Sequence, residues 1–340
     1  MKPAQFASWL TVDRHGLFCR PGGFHVDPHS PVSRAVITHG HSDHARAGHD
    51  HVLATEETLA VMRVRLGGAA RLGTQRAAYG EPIRIGDVSV TLIPAGHVLG
   101  SAQVLIEWQG ARVVVSGDYK RSADPTCPAF ELTPCHLFIT EATFGLPVFS
   151  HGSARGEIQK LLKSHSQFPD RAHVVGAYGL GKSQRVIALL REAGYNEPIF
   201  LHGALAECCA LYESIGVRLG ELKSATGAKR EDLVGAIVLA PPSAIADRWS
   251  RRLPDPVTAL ASGWMRVRAR ARQQNVELPL VISDHADWNE LTQTIAETGA
   301  EEIWVTHGRE EALLYHIEST GRRGRALALV GRVGREDEDS

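Results

Sequence analysis

The sequence has few of the residues that define several large classes of protein. Aromatic residues make up only 6% of the 340 residues, so we expect a mainly aliphatic core. The five cysteines are odd in number and form no CxxC pair, which fits neither a thiolate zinc site nor a disulfide framework. No run of 18 apolar residues occurs, so no membrane-spanning helix is expected. The net charge of -1 excludes a protein that coats nucleic acid through overall positive charge, but not one with a local basic surface.

The cellular compartment is predicted from the start of the sequence and from its cysteines. The first residues lack the apolar segment of a secretory signal peptide, and the cysteine pattern is typical of a reducing environment. We therefore expect a cytoplasmic protein with no membrane association. What the sequence has in excess is histidine, with 17 residues, and a clustered excess of histidine points to metal chemistry.

Short apolar segments predict an α/β fold in which one domain interrupts another. Predicted strands of the interrupted domain fall at 34–38, 88–94, 112–116, 136–140, 278–283 and 302–306. Between them, strands at 172–176, 198–201 and 236–239 alternate with helices such as 182–193, as in a parallel sheet. Because the length favours about two domains, we predict one domain formed by 1–147 and 276–340 and an inserted domain at 148–275.

Six predicted strands end at a potential metal ligand or acid. Because buried strands that run the same way deliver their last residues to one edge of a sheet, we expect these side chains to converge. The residues are His39, His41, Asp43, His44, His97, Asp118, Glu141, Asp284, His285 and His307.

The most specific motif is His-x-His-x-Asp-His at 39–44. Alternate histidines in an extended loop place both imidazoles, those of His39 and His41, on one side at the spacing that one ion needs. Asp43 and His44 lie one step further and can hold a second ion. A lone histidine in a turn is usually a surface residue, but three histidines and an aspartate at four fixed positions rarely occur by chance.

The other strand ends can complete the two sites. Asp118 is suited to bridge two ions, His97 to complete the ligands of the first ion, and His307 those of the second. Because all donors are nitrogen or oxygen, the set favours two divalent ions, Zn²⁺ or Mn²⁺.

Four segments in this order resemble the metallo-β-lactamase fold. They are FHVDPH with Asp27, the motif at 39–44, AGHVLGSA around His97, and SGDY around Asp118. The resemblance implies an αββα sandwich and assigns Asp27 a supporting role, in which it orients the loop at 39–44 without binding metal.

Three further segments are similar to the additional motifs of the β-CASP nucleases. They are ITEATFG with Glu141, ISDHADWNEL with His285, and WVTHGREEAL with His307. Nucleases of this family carry an inserted α/β β-CASP domain that clamps nucleic acid over the metals, which matches the predicted insertion. The inserted clamp argues against the alternative of a small-molecule hydrolase of lactamase or thioesterase type.

Two features of this resemblance point to different substrates. The segment SGWMRVRARARQQ followed by SDHADW most resembles the bacterial ligase-associated DNA exonucleases. It implies a 5′ exonuclease in DNA repair that acts on single-stranded DNA or a 5′ end, in functional partnership with an ATP-dependent DNA ligase. His307 instead stands where RNA-cutting members such as RNase J have histidine, so an RNA nuclease of the same fold is the alternative.

The ligand set implies hydrolysis in which a hydroxide shared by the two ions attacks phosphorus in line. We assign catalytic roles to Asp43, Asp118, Glu141 and His285. His285 is the candidate proton donor to the leaving oxygen, although it could also only orient a ligand. Glu141 could hold a ligand histidine or bond Asp284 or His285. Asp284 is expected to support the site without binding metal.

A second motif, GxxxxGK[ST] at 176–183, matches the phosphate loop of nucleotide hydrolases. A P-loop ATPase is therefore an alternative, but glycine is common here and no later strand ends in a suitable magnesium ligand. A role in which Lys182 and Ser183 contact a phosphate of the nucleic acid strand is preferred.

Arginines alternate at 266, 268, 270 and 272. If 264–274 is extended, all four side chains point the same way. The prediction is that Arg266, Arg268, Arg270 and Arg272 follow the phosphates of a bound strand, and the alternative is a solvated charged face.

Overall fold

The computed structural model describes residues 6–67 and 73–329, which form two compact units. The first unit comprises the described residues of Met1–Ala123, Cys127–Pro147 and His285–Ser340. The second unit comprises Asp124–Thr126 and Val148–Asp284, so it ends later than the predicted limit at 275. The domain limits drawn from the sequence stay a prediction.

Two mixed sheets form the first unit. The strands of one sheet, in spatial and chain order, are β1 (Leu10–Asp13), β2 (Gly16–Cys19), β3 (Phe24–Val26), β4 (Arg34–Val36), β5 (His51–Ala54) and β6 (Gly73–Arg76). The strands of the other are β7 (Pro82–Ile85), β8 (Val88–Pro94), β9 (Ala102–Trp108), β10 (Ala111–Val115), β11 (Leu137–Ala142), β18 (Glu302–Gly308) and β19 (Arg323–Ala326). Their spatial order is β19-β18-β11-β10-β9-β8-β7.

Alternation of side chains along the strands builds three apolar layers in this unit. Val113 and Val115 of β10 join the cluster shared by the two sheets, whereas Val114 between them joins the cluster formed with helices. This period of two leaves both faces of each sheet apolar, so each outer face is covered by helices. The helices of the unit are α1 (Phe6–Trp9), α2 (Glu56–Leu66), α8 (Trp288–Glu297) and α9 (Glu310–Ser319). The result is the αββα metallo-β-lactamase sandwich that the sequence predicted.

Strand direction decides where the site can form. β10, β11 and β18 are parallel neighbours, and β8 runs the same way because both β8 and β10 are antiparallel to β9. The C-terminal ends of all four strands therefore lie at one edge of the sheet. The residues that follow or occupy these ends are His97, Asp118, Glu141 and His307.

A six-stranded, wholly parallel sheet forms the second unit, with spatial order β14-β13-β15-β12-β16-β17. Its strands are β12 (His173–Gly176), β13 (Ile199–Leu201), β14 (Leu222–Ser224), β15 (Ile237–Ala240), β16 (Val257–Ala261) and β17 (Leu278–Leu280). Its α-helices are α3 (Ala154–Gln167), α4 (Lys182–Glu192), α5 (Ala206–Ser214), α6 (Pro242–Ile245) and α7 (Arg268–Gln273). β17, which the sequence placed in the interrupted domain, pairs with β16 here.

Within residues 6–67 and 73–329, no helix combines the length and the apolar character that crossing a bilayer requires.

Candidate metal centre

Four donor atoms from three separate segments meet in the first unit. His41 Nδ1 lies 3.0 Å from His39 Nε2 and 3.0 Å from His97 Nε2. Asp118 Oδ2 completes the group, and all four atoms lie within 4.8 Å of one another. Ligands of one tetrahedral zinc ion, each about 2.0–2.2 Å from the metal, lie roughly 3.3 Å apart. These side chains therefore fit the ligand set of one divalent ion.

One oxygen of Asp118 links this group to other histidines. Asp118 Oδ2 lies 3.4 Å from His39 Nε2, 3.7 Å from His97 Nε2, 3.5 Å from His44 Nε2 and 3.9 Å from His285 Nδ1. A single carboxylate oxygen within 4 Å of four imidazoles is the arrangement expected of a ligand that bridges two ions.

Burial and charge fix the protonation of these groups. Desolvation holds the pKa of His39 well below its usual value, helped by the neighbouring imidazoles of His44 and His97, so His39 offers a neutral lone pair. Burial alone would raise the pKa of Asp118, but the neighbouring histidines, His44 foremost, outweigh burial and hold this pKa well below its usual range. A neutral imidazole and an ionised carboxylate are the forms that bind metal.

A second group of candidate ligands lies on the other side of Asp118. His44 Nε2 is 3.8 Å from Asp43 Oδ2, and the ring centroids of His44 and His307 are 5.2 Å apart. Burial lowers the pKa of His44, but Asp118 and Asp27 outweigh burial and raise it to about 10. Among the described residues, Asp43, His44 and His307 do not join a group as close as the first four donors. The structure thus brings all seven predicted ligands into one region, with the first set tighter than the second.

Hydrogen bonds from Asp27 and Thr38 support the ligand loop at 39–44. Asp27 Oδ2 lies 2.7 Å from His44 Nδ1 and accepts from Thr38 Oγ1 at 2.5 Å, while Asp27 Oδ1 accepts from the Thr38 amide at 2.8 Å. A hydrogen bond of this kind on one ring nitrogen fixes the tautomer and leaves the other nitrogen to face the ligand site. Asp27 adopts φ 44° and His307 φ 52°, a left-handed backbone that few non-glycine residues adopt.

The sequence did not predict the supporting role of three side chains near the ligands. Thr38 is the first, Arg65 donates to the Gly40 carbonyl in the ligand loop, and Ser101 Oγ accepts from the His97 amide at 3.1 Å. Thr38 and Ser101 carried a local signal, since Thr38 directly precedes His39 and Ser101 stands four residues after His97. Gly117 has φ 54°, and a Cβ there would lie 2.7 Å from Thr38, so glycine is required beside Asp118.

Glu141 and His285 form a pair beside this centre. Glu141 Oε2 lies 2.9 Å from His285 Nδ1, and Glu141 Oε1 accepts from the Tyr119 amide at 2.8 Å. Glu141 is fully buried, whereas the His285 side chain is 24% exposed. Of the partners considered for Glu141 from the sequence, the structure shows His285. Asp118, Glu141 and His285 also form a second group of potential ligand atoms.

We expect Asp27→Asn to weaken metal binding about 10–100-fold, the usual effect of losing a group that orients a ligand. Asparagine tolerates the left-handed backbone at this position, but its amide nitrogen cannot accept a hydrogen bond from His44 Nδ1. Competition with a chelator of known affinity measures the change. Asp50→Asn, on an exposed carboxylate of the same unit, is the control, and equal affinities for both variants would contradict the assigned role.

The predicted phosphate contacts of Lys182 and Ser183 are wrong. Both side chains are buried: Lys182 Nζ lies 2.9 Å from Asp284 Oδ2, and Ser183 Oγ donates to the Tyr178 carbonyl at 2.8 Å. The loop also uses its own amides, since Lys182 N donates to Leu180 O and Ser183 N to Tyr178 O. Because a phosphate loop needs these amides and the lysine for its ligand, the P-loop ATPase alternative loses its basis.

Asp284 lies in the second unit and pairs with two cations there. Its carboxylate lies 2.9 Å from Lys182 Nζ and 3.3 Å from Arg185 NH1. The supporting role predicted for Asp284 stays a prediction.

The predicted extended arginine segment at 264–274 is also wrong. A 3₁₀ turn, Gly263–Arg266, leads into α7, so the alternate arginines do not share one side. All four remain exposed, and the Arg270 guanidinium stacks 4.0 Å from the centroid of the Trp264 ring. Within α7, helical spacing places Arg268 and Arg272, which are four residues apart, on the same face.

Comparisons with known proteins find two kinds of relative. No family model matches the chain. Over 309 residues the chain is 30% identical to a protein of Opitutus terrae named "Probable DNA ligase"; the match covers 88% of this chain and 29% of that protein. Over 226 residues the chain is 29% identical to "Endoribonuclease YSH1" of Gibberella zeae; the match covers 54% of this chain and 27% of that protein. These similarities are consistent with the β-CASP family of metallo-β-lactamase-fold proteins that the sequence motifs resemble.

A comparison with solved structures bears on the fold alone. The crystal structure of a protein of unknown function from Enterococcus faecalis aligns with a TM-score of 0.60 at 13% identity, over 86% of this chain and 78% of that one. The chain spans less than a third of the length of the two curated relatives described above.

Proposed function

We propose that this protein is a metal-dependent nuclease that hydrolyses phosphodiester bonds of DNA, acting as a 5′ exonuclease in DNA repair. The observation that carries the proposal is Asp118 Oδ2, which lies within 4 Å of four imidazoles and joins the two groups of candidate ligands. The proposed ligands of two divalent ions, Zn²⁺ or Mn²⁺, are His39, His41, Asp43, His44, His97, Asp118 and His307.

Two observations favour different nucleic acids. The Opitutus relative, named a probable DNA ligase, includes a segment similar to nearly all of this chain, which favours DNA and a functional partnership with an ATP-dependent ligase. The Gibberella relative is named an endoribonuclease, and His307 lies beside His44, which favours the alternative of an RNA nuclease.

His285, Glu141 and Asp27 have separate proposed roles in phosphodiester hydrolysis. When bound, the divalent ions activate water and neutralise charge on the phosphate oxygens. His285 is the proposed general acid: Glu141 accepts from Nδ1–H, and its negative charge stabilises the imidazolium that forms when Nε2 is also protonated. Nε2 then gives its proton to the leaving oxygen. Asp27 keeps His44 in the tautomer whose Nε2 faces Asp118.

Cleavage of matched substrates tests the proposal. Purified protein is incubated with 5′-labelled and 3′-labelled single-stranded DNA and with RNA of the same sequence, each with added Zn²⁺ or Mn²⁺ and with a chelator. We expect metal-dependent release of short products from the 5′ end of DNA. Faster cleavage of RNA would move the assignment to the alternative, and cleavage of neither would refute the nuclease.

We expect Arg266/Arg268/Arg270/Arg272→Ala to weaken binding of single-stranded DNA and to flatten its salt dependence. Each lost phosphate contact reduces the slope of log K against log salt by about 0.7 for single strands, so four contacts account for up to about 3. Fluorescence anisotropy at several salt concentrations measures the slope.

A matched control removes the same charge elsewhere on the second unit. The control variant replaces four other exposed cations of this unit, Arg155, Lys160, Lys163 and Lys223. Equal slopes for the two fourfold variants would show that the arginines on and beside α7 are a solvated face and not a nucleic-acid interface.

A further inference from the structure

A buried ionic network lies in the second unit, outside the proposed ligand set. It consists of Lys182, Arg185, Asp124 and Asp284, whose side chains are each at most 6% exposed. Lys182 Nζ lies 2.9 Å from Asp284 Oδ2, and Arg185 lies between two carboxylates, 3.3 Å from Asp284 Oδ1 and 3.3 Å from Asp124 Oδ2. Burying charge is unfavourable unless it is paired, and each of these four charged groups lies within 3.3 Å of a group of opposite charge.

The two cations bind three consecutive residues. Lys182 Nζ donates to the Ile282 carbonyl at 3.0 Å, Arg185 donates to the Ser283 carbonyl, and both pair with the Asp284 carboxylate. The next residue along the chain is His285. The start of α4 therefore fixes the backbone from 282 to 284 immediately before the proposed general acid.

The other side of His285 is fixed within the first unit. The Ala286 amide donates to the Tyr119 carbonyl at 2.6 Å. Tyr119 directly follows the candidate ligand Asp118. Glu141 holds the His285 ring itself through Nδ1. His285 thus follows directly on a stretch of backbone that Lys182 and Arg185 hold in place.

We propose that Lys182 and Arg185 are positioning residues for His285, which they act on through the buried Asp284 and the peptide bond that follows it. In this view, which rests on the proposed function, the glycine-rich GxxxxGKS motif serves to hold the general acid and binds no nucleotide. Its lysine forms an internal ion pair, and Gly181, at φ 85°, allows the turn that directs Lys182 inward.

Lys182→Met is the test variant, since it removes the ammonium while Arg185 still compensates Asp284. We expect kcat to fall about 10–100-fold, as for other lost orienting groups, with KM within about twofold and metal content unchanged. Lys163→Met, which removes an exposed ammonium from α3, is expected to leave both parameters unchanged.

A double-mutant cycle shows whether the effect passes through His285. In the His285→Ala background, Lys182→Met is expected to cause no further loss of kcat, because the group that it positions is already absent. An equal loss in both backgrounds, a loss of metal, or an unchanged kcat would each overturn the proposal. If Lys182→Met does not fold, Asp284→Asn, which keeps the side-chain volume, replaces it in the double-mutant cycle. The expected and the contradicting results are then the same.

A readout without turnover separates this inference from the nuclease assignment. With ¹³C-labelled histidine, the ring signal of His285 is assigned by its absence in His285→Ala. Lys182→Met is expected to shift this signal, and Lys163→Met is not. If the protein cleaves no nucleic acid but the shift appears, the proposed function fails while the positioning stands. If cleavage is normal and the signal does not move, only the positioning fails.

Discussion

Asp118→Ala is expected to remove bound metal and nuclease activity together. Among the residues that the structure describes, its Oδ2 atom is the one donor within 4 Å of imidazoles from both groups of candidate ligands. Divalent ions contribute several kcal/mol of transition-state stabilisation, and each 1.36 kcal/mol is tenfold in rate, so activity should fall roughly 10³-fold or more. Elemental analysis and a cleavage assay on the same preparation measure both effects.

Asp87→Ala supplies the control for this variant. Asp87 is an exposed carboxylate between β7 and β8 of the same unit, so its loss should change neither metal content nor rate. If Asp118→Ala kept both ions, or lost them without losing activity, the bridging role of Asp118 would be wrong.

His285→Ala is expected to keep its metal and to slow cleavage by roughly 10²–10⁴-fold, the range for a lost general acid. The imidazole is paired with Glu141 and lies farther from Asp118 than do His39, His44 and His97, so it is expected to act on the leaving group rather than as a ligand. A substrate whose leaving group needs no proton should restore much of the rate.

His51→Ala, on an exposed histidine at the start of β5, is the matched control. Release of metal by His285→Ala would show that His285 is a ligand, a role that its place beside Asp118 and Glu141 also permits. A rate equal to that of His51→Ala would show that proton donation comes from another group.

The fold and the ligand cluster were predictable because their signals are local. The strand predicted at 88–94 is β8, whose high density of apolar residues indicated a buried strand. The motif at 39–44 places its histidines by spacing alone, and strand ends at His97 and Asp118 then converge through sheet geometry.

The arginine segment shows where a local pattern was misread. Alternation of arginine and small residues from 266 to 272 fits a strand, but arginine and alanine are both strong helix formers. Ala271 is buried, and the four arginines remain exposed around the helix. Helix propensity therefore outweighed the alternating sequence pattern, and the arginine side chains do not lie along one side of an extended strand.

The buried network was not predictable because its partners are far apart in the chain. About 100 residues separate Lys182 from Asp284, and nothing in the glycine-rich motif indicates that its lysine points inward. The same is true of Arg65 and the Gly40 carbonyl, 25 residues away. Contacts of this kind depend on tertiary packing, which sequence spacing does not encode.

The metal content of the purified protein tests the central claim most directly. We predict two equivalents of zinc or manganese per chain by elemental analysis, both removed by a strong chelator together with nuclease activity and both restored with it on readdition. Full cleavage activity in a preparation without divalent metal would contradict the proposed two-ion centre.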